Sequence, residues 1–222
     1  MTGILGPMRR LFITATAAAT LIAVPLIAGC GSSDTASTAA ADTAAQGGTA
    51  TSWSSPPPMT IDENAAYTAD LQTSEGDIQI ALDAKQAPKT VNNFVFLAKQ
   101  GFYDGTTFHR VIPDFVIQGG DPEGTGMGGP GYSFEDELPE AGQYKVGSVA
   151  MANSGPNTNG SQFFIITGQQ GAQLPPNYSL FGTVTQGQDV ADKISTMAAP
   201  GTEAPDPPVT IESVTISEMG AK

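Results

Sequence analysis

Cysteine, histidine and tryptophan each occur only once in this chain of 222 residues, at Cys30, His109 and Trp53. A single cysteine excludes an intrachain disulfide, and a single histidine argues against a catalytic triad or a zinc site, both of which need partners that the chain does not offer. Basic residues are also scarce, with 9 Lys and Arg against 22 Asp and Glu and a net charge of −13. Without a basic stripe for phosphates, the chain is not expected to bind nucleic acid.

Arginine is the scarcest charged residue. Arg9 and Arg10 precede an apolar run over residues 11–28, a pattern typical of a cleaved secretory signal. That run ends in Leu26-Ile27-Ala28-Gly29-Cys30, which looks like a bacterial lipobox, and the Cys30 thiol would accept the diacylglyceryl group. We therefore expect residues 1–29 to be a signal peptide and the mature chain to be extracytoplasmic, anchored to the cell membrane through lipid at Cys30. Its acidity should keep it away from anionic headgroups, so the lipid would be the only membrane link.

An uncleaved membrane anchor is the alternative interpretation of this segment. The apolar run is about 18 residues long, which is the lower limit for a membrane span. Pro25 and the small residues before Cys30 favour cleavage.

Residues 30–65 are expected to form a disordered tether. They are rich in Gly, Ser, Thr, Ala and Asp and end in a proline run, Pro56-Pro57-Pro58. Such a composition buries too little apolar surface to offset its chain entropy. Trp53 lies in this segment, and we expect it to be exposed or loosely packed.

The remaining residues, 66–220, are the size of one domain and show the patterns of a mainly β fold. Alternation around Ser74-Glu75-Gly76-Asp77 predicts a hairpin over 67–83, and helical spacing predicts helices over 87–101 and 188–198. Further strands are predicted within 106–120, 145–153, 161–168, 179–187 and 209–219. Many antiparallel strands with two separated helices predict a closed eight-stranded β-barrel capped by two α-helices. Because side chains fill a barrel of this size, a peptide site must lie on its outer surface.

Two motifs carry the strongest functional signal. Beyond residue 10, Arg110 is the only arginine, and it lies in FHRVIPDFVIQGGD (108–121); a second polar-aromatic stretch, MANSGPNTNGSQFFI, covers 151–165. Together they resemble the signature of the cyclophilin family of peptidyl-prolyl cis-trans isomerases, and the resemblance extends from about Tyr67 to Met219. It implies a cofactor-free enzyme that rotates X–Pro bonds in proline-containing polypeptides, here secreted or cell-envelope proteins. We expect it to act as a monomer.

The resemblance also implies roles for particular residues. Arg110 would donate to the prolyl nitrogen, Phe115 and Gln118 would complete the catalytic group, and Asn153 and Gln162 would fix the peptide on either side of the proline. The other expected substrate contacts, which line the proline pocket or the groove for the residue before it, are Val116, Ala152, Ser154, Phe164, Leu174 and Tyr178. Phe108, Phe163 and Ile165 are expected in the barrel core instead, and Asn157 and Asn159 in turns. His109 is expected to be a packed, hydrogen-bonded structural residue.

The match weakens in 167–182. Where many cyclophilins carry a Trp-Leu pair followed by a histidine, this chain has Gln173-Leu174 and then Tyr178. Tyr178 supplies an aromatic wall and a hydroxyl, so catalysis should survive. The missing tryptophan weakens the expectation that cyclosporin-like macrocycles bind tightly.

One alternative interpretation concerns the role of Arg110, and others concern the function of the whole domain. Arg110 could be a structural arginine in a salt bridge to Glu135 or Asp136. The whole domain could hold proline-containing segments as a non-catalytic binding or chaperone module on the cell surface, or serve as an adhesin or assembly factor. Arg110 argues against the binding module, because a pure binder has no evident need for that group.

Overall fold

The computed structural model describes residues 52–219, which are mainly β. The predicted signal peptide, the lipidation site Cys30 and the first part of the predicted tether lie outside these residues. No helix within 52–219 is long and apolar enough to cross a bilayer. The strands are β1 (Ala66–Thr73), β2 (Gly76–Leu82), β3 (Arg110–Ile112), β4 (Val116–Gly119), β5 (Ser148–Met151), β6 (Phe163–Ile166), β7 (Leu180–Gln186) and β8 (Ile211–Met219); the helices are α1 (Pro88–Lys99), α2 (Gln169–Ala172) and α3 (Gln188–Ser195).

Local sequence signals set the bounds of most elements. Thr73 pairs with Gly76 at the end of the β1–β2 hairpin, and Gly76 has a φ of 130°, which favours glycine at this turn. Pro88 begins α1 and Gly101, with a φ of 68°, follows its end. The predicted hairpin and the two predicted helices are therefore confirmed. The third helix, α2, was not predicted, because four residues are too few to show helical spacing.

The eight strands form one antiparallel sheet in the order β3-β4-β6-β5-β7-β2-β1-β8. Within the described residues no ladder joins the first strand of this order to the last; only an isolated bridge between Thr107 and Thr210 lies near that gap. The prediction of a closed barrel is therefore wrong, and the sheet is a curled, open half-barrel. The physical reason is that β3 is short and its free edge meets a loop: the Val111 N–H donates to the Glu203 carbonyl at 2.6 Å.

Both faces of strands β4 and β6 are buried. Side chains alternate between the faces of a strand, and Ile117, Phe163 and Ile165 point into the main core with α1. Val116, Phe164 and Ile166 lie on the opposite face in a second, smaller cluster. The prediction that Phe108, Phe163 and Ile165 belong to the core is confirmed, since all three are fully buried. The second cluster is the floor of the site described below.

Residues 53–61, here called the strap, run ahead of β1 over the surface of α1. They fall in the segment predicted to be a disordered tether, yet Trp53 packs against Phe96 and Phe102 with ring centroids 5.2 and 5.9 Å apart. The prediction that Trp53 is exposed or loosely packed is therefore wrong. The indole finds apolar surface on α1 that the composition of its own segment does not reveal.

Candidate active site

The pairing of strands brings the predicted residues into one row. Arg110 on β3 lies opposite Gln118 on β4, Gln118 lies opposite Phe164 on β6, and Phe164 lies opposite Ala150 on β5. Residues directly opposite each other in neighbouring strands share a face. The register alone therefore places the guanidinium, the amide and the aromatic ring side by side on the outer face of the sheet.

A tight turn after β3 adds Phe115 and Leu174 to this row. Asp114 has a φ of 58°, and its carboxylate accepts a hydrogen bond from the Gln169 N–H at 2.8 Å, at the start of α2. The Thr167 N–H donates to the Phe115 carbonyl at 3.0 Å. Gly171 permits this approach, because a Cβ there would lie 2.5 Å from that carbonyl oxygen. The unpredicted helix α2 thus holds the Phe115 turn beside Leu174.

The result is a small cavity of about 180 Å³, here called the proline pocket. Most of the predicted site residues line it; its walls are Arg110, Phe115, Val116, Gln118, Ala152, Asn153, Phe164, Leu174 and Tyr178. The other two predicted residues, Ser154 and Gln162, line a neighbouring cavity of about 900 Å³, here called the larger cavity. Gln118, Ala152 and Asn153 line both cavities.

Arg110 is held from two sides. Its Nε donates to Glu203 at 2.6 Å, and its Nη1 donates to the Gln118 Oε1 at 3.5 Å. Its guanidinium carbon lies 5.9 Å from the centre of the Phe115 ring. The side chain remains 36% exposed, so the guanidinium is oriented without being sealed off.

The partner of Arg110 differs from the predicted alternatives. Glu135 pairs with Lys89, and the Asp136 carboxylate accepts hydrogen bonds from Asn157 and Asn159. Glu203 is 93 residues from Arg110 along the chain, and no spacing in the sequence indicates this pair. The predicted turn role is confirmed for Asn157, which has a φ of 60°, but it is wrong for Asn159, which is fully buried and bridges to Phe134.

A chain of amides connects the two cavities. The Gln118 side chain donates to the Gln162 Oε1 at 2.9 Å, and the Gln162 side chain donates to the Gly128 carbonyl at 2.9 Å. Each amide is thereby fixed in orientation, with Gln118 also accepting from Arg110. Two hydrogen-bonded side chains therefore lie between the two cavities.

Tyr178 forms the far wall of the proline pocket, and the buried Tyr144 supports it from behind. Tyr178 packs edge-on against Phe164 with centroids 5.3 Å apart. Its backbone is bound to buried Tyr144, whose hydroxyl donates to the Tyr178 carbonyl at 2.7 Å and accepts from the Tyr178 N–H at 3.1 Å. Burial raises the pKa of Tyr144 to about 12. Sequence reasoning missed Tyr144, because a lone tyrosine in a turn-rich segment gives no signal of this role.

Asn153 ties together the loops that lie between the cavities. Its side-chain NH2 donates to the Asn177 carbonyl at 2.9 Å, and its oxygen accepts from the Gly155 N–H at 3.2 Å. A substrate contact by the Asn153 side chain is still a prediction.

His109 points away from the proline pocket. It is half-buried, and within the described residues neither ring nitrogen has a hydrogen-bond partner, so the prediction that it is hydrogen-bonded is wrong. Burial lowers the pKa of His109, while Asp121 acts in the opposite direction. The ring packs beneath the loop that begins at Asp121, where a Cβ at Gly126 would lie 3.7 Å from the His109 Nε2.

Asp121 organises that loop. Its carboxylate accepts backbone hydrogen bonds from Glu123 at 2.8 Å, Gly126 at 2.6 Å and Gly128 at 3.1 Å. Burial alone would raise the pKa of Asp121, but the backbone N–H groups of Glu123, Gly128 and Gly126 outweigh it, so the pKa lies below its ordinary value. A buried, ionised carboxylate thus shapes the rim of the larger cavity.

Comparison with known proteins assigns the family. The family model described as "Cyclophilin type peptidyl-prolyl cis-trans isomerase/CLD" matches residues 68–216. A probable peptidyl-prolyl cis-trans isomerase A from Mycobacterium leprae is 51% identical over 169 residues, covering 68% of this chain and 92% of that protein. An isomerase from Schizosaccharomyces pombe is 47% identical over 146 residues, covering 64% of this chain and 94% of its own length.

Solved structures agree with this assignment. A crystal structure of a cyclophilin-type isomerase from Cryptosporidium parvum, in the presence of the dipeptide Ala-Pro, is 36% identical, with a TM-score of 0.63, and the match covers 68% of this chain and 98% of that one. Together with the row of Arg110, Gln118 and Phe164 beside an apolar pocket, these similarities identify the chain as a member of the cyclophilin family of peptidyl-prolyl cis-trans isomerases.

Proposed function

We propose that the proline pocket is where this isomerase turns X–Pro bonds, with Arg110 as the catalytic residue. The observation that carries the proposal is the position of a guanidinium beside a cavity of about 180 Å³ with an apolar floor. Rotation about the bond is slow because conjugation in the amide imposes a barrier of about 18–20 kcal/mol. A catalyst that weakens this conjugation needs neither a nucleophile nor a cofactor.

Arg110 supplies the group that weakens conjugation. As the bond twists, the prolyl nitrogen regains a lone pair, and a guanidinium N–H donates to it in the twisted state and not in the planar one. Glu203 occupies the Nε donor, and within the described residues only Gln118 contacts the terminal nitrogens, at 3.5 Å. A thousandfold acceleration requires about 4 kcal/mol of such selective stabilisation.

The apolar walls hold the proline ring while the chain on its N-terminal side turns. Val116 and Phe164 are almost fully buried and form the floor, with exposed fractions of 1% and 4%. Phe115, Leu174 and Tyr178 are packed against the same cluster from the rim. A floor that cannot move keeps the ring fixed, so rotation of the bond is the motion that remains.

The chain as a whole is proposed to be a lipid-anchored, extracytoplasmic enzyme that acts on secreted or envelope proteins. The support is the lipobox-like ending Leu26 to Cys30 after an arginine-led apolar run. Cys30→Ser should abolish processing and membrane association, measured by fractionation and by the mass of the mature N-terminus. Unchanged processing and association in that variant would contradict the anchor.

The activity is tested by NMR exchange spectroscopy on an Ala-Pro peptide with the full chain. Wild type should accelerate cis–trans exchange, and Arg110→Ala should lose most of the acceleration while still binding the peptide. Arg110→Lys is the matched control: it keeps the charge but not the planar fork of donors, so it should recover only part of the rate. Peptide binding by wild type without faster exchange would instead make the domain a proline-recognition module.

A further inference from the structure

The strap is bound firmly to α1. Asn92, which is 2% exposed, accepts a hydrogen bond from the Thr60 N–H at 2.9 Å and donates one to the Pro58 carbonyl at 3.0 Å. At the other end of the strap, Trp53 packs on Phe96 and Phe102. Two separate anchors, one polar and one aromatic, therefore fix a segment whose own composition favours disorder.

The strap also contacts the wall of the larger cavity. The Trp53 N–H donates to the Pro130 carbonyl at 2.8 Å. A Cβ at Gly131 would lie 2.7 Å from the Trp53 carbonyl oxygen, so glycine is needed for the strap to lie this close. Pro130 and Gly131 both line the larger cavity. The strap is thus directly behind this wall.

One turn of α1 connects the strap to the wall formed by residues 130–132 and to Gly160 beside it. Asn93, the neighbour of Asn92, accepts from the Tyr132 hydroxyl at 2.6 Å and donates to the Gly160 carbonyl at 2.9 Å. Tyr132 and Gly160 both line the larger cavity, and they are neighbours, since a Cβ at Gly160 would lie 3.2 Å from Pro130 and 3.8 Å from the Tyr132 carbonyl oxygen. Adjacent asparagines therefore hold the strap and this part of the cavity wall.

We propose that the strap is a positioning element that fixes the part of the larger cavity's wall formed by residues 130–132, and that Trp53 thereby tunes selectivity for residues preceding the X–Pro bond. The proposal rests on the proposed function, because it takes the larger cavity to be the continuation of the peptide site. Two features support that continuity: Gln118, Ala152 and Asn153 line both cavities, and the amide chain from Gln118 to Gly128 crosses between them.

The kinetic test uses two peptides and three full-length chains. The peptides are acetyl-Ala-Pro-amide and acetyl-Gly-Leu-Gly-Ala-Pro-amide, and the chains are wild type, Trp53→Ala and Trp53→Phe. Trp53→Ala should raise KM for the longer peptide about threefold with kcat unchanged, as expected when uniform binding is lost. The KM of the short peptide should be unaffected. Trp53→Phe should restore the wild-type KM for the longer peptide because it keeps the aromatic packing. An equal effect on both peptides, or none, overturns the proposal.

A spectroscopic test needs no variant. Trp53 is the only tryptophan, so its emission reports the state of the strap. Binding of the longer peptide should shift the emission, whereas the short peptide should not. If saturation with either peptide leaves the Trp53 emission unchanged, the proposed coupling between the strap and the larger cavity is contradicted.

Failure of the proposed function can be told apart from failure of this inference. If wild type does not accelerate exchange, the same peptides and chains are compared by NMR titration, and the dissociation constants replace KM. A loss of affinity in Trp53→Ala confined to the longer peptide supports the strap even then. A change in affinity on Trp53→Ala that is the same for both peptides overturns the inference, whether or not the chain is catalytic.

Discussion

The proline pocket and the larger cavity adjoin each other, but the first is built mainly on strands and the second mainly from loops. The proline pocket is supported by paired strands, and its floor belongs to a buried cluster that includes Val116, Phe164 and Ile166. The larger cavity is lined mostly by loop residues in 126–133 and 152–162. Strands hold side chains more precisely than loops do, so we expect the proposed reaction at the proline pocket and adjustable recognition of the substrate at the larger cavity.

Glycine content sharpens this contrast. Gly126, Gly128, Gly129, Gly131 and Gly160 all line the larger cavity, whereas no glycine is among the residues that line the proline pocket. Glycines give a wall no side chains of its own, so its position depends on outside supports such as Asp121, Asn93 and the strap. Changes to those supports should alter substrate preference and leave the chemical step intact.

The largest effect is expected from breaking the proline pocket at its floor. Phe164→Ala should lower kcat/KM at least a hundredfold for short and long peptides alike, and should cost about 3–5 kcal/mol of unfolding free energy, because a buried ring leaves a cavity. Exchange spectroscopy and urea unfolding measure the two losses.

Its neighbour Phe163 provides the matched control, since it points to the opposite face of the same strand. Phe163→Leu and Phe164→Leu should lose similar, smaller amounts of stability, but only Phe164→Leu should lose peptide affinity. Equal losses of affinity would mean that the pocket is not the binding site.

An intermediate loss of stability is expected from Asp121→Asn. This substitution disturbs the loop that forms part of the larger cavity and leaves the proline pocket intact. Because the pKa of Asp121 is lowered on folding, its contribution is fully present above the unfolded pKa of about 3.9 and is lost as the pH falls through the folded value. At pH 7 the variant should be about 1.5–3 kcal/mol less stable, since it weakens hydrogen bonds to a charged group. The difference from wild type should shrink as the solution is acidified.

Urea unfolding over a pH series measures this difference, with Glu140→Gln, at an exposed site, as the control. A deficit that is constant with pH would contradict the role of the ionised carboxylate. At neutral pH, Asp121→Asn should also weaken binding of the longer peptide more than binding of the short one.

The smallest effect is expected from Glu203→Gln. The ion pair with Arg110 is exposed on the Glu203 side at 56%, and exposed pairs stabilise by about 0–1 kcal/mol. Stability should barely change, while kcat should fall about two- to fivefold because Arg110 is less well oriented. Glu135→Gln, which breaks the ion pair with Lys89 elsewhere on the surface, should leave exchange unchanged. Equal rates for both variants would show that Glu203 does not orient Arg110.

Much of the fold followed from local patterns in the sequence. The β1–β2 hairpin, α1 and α3 were predictable because Gly76, Pro88 and Gly101 mark turns and helix ends in ways that need no distant partner. The open edge of the half-barrel was not predictable in the same way. It depends on what lies beside β3, and the Val111 N–H meets the Glu203 carbonyl in a loop instead of a strand.

The residues of the site likewise fall into those that local motifs indicate and those that depend on contacts between distant parts of the chain. Motif positions indicated Arg110, Phe115 and Phe164; the strand register brings Arg110 and Phe164 together through Gln118, and the turn after β3 adds Phe115. Glu203 and Trp53 could not be found this way, because their partners are fixed only after the chain has folded. The Trp53 ring meets Phe96 and Phe102 on and just after α1, and nothing in the local composition of 53–61 indicates that contact.

The scarcity of arginine gives this enzyme a built-in chemical label. Beyond residue 10, Arg110 is the only guanidinium in the chain, and its side chain is 36% exposed. A dicarbonyl reagent selective for guanidinium groups would therefore modify the domain at one position, beside the proline pocket. The mass gained would count free sites, and peptides or inhibitors that fill the pocket would register as protection, without any need to observe turnover.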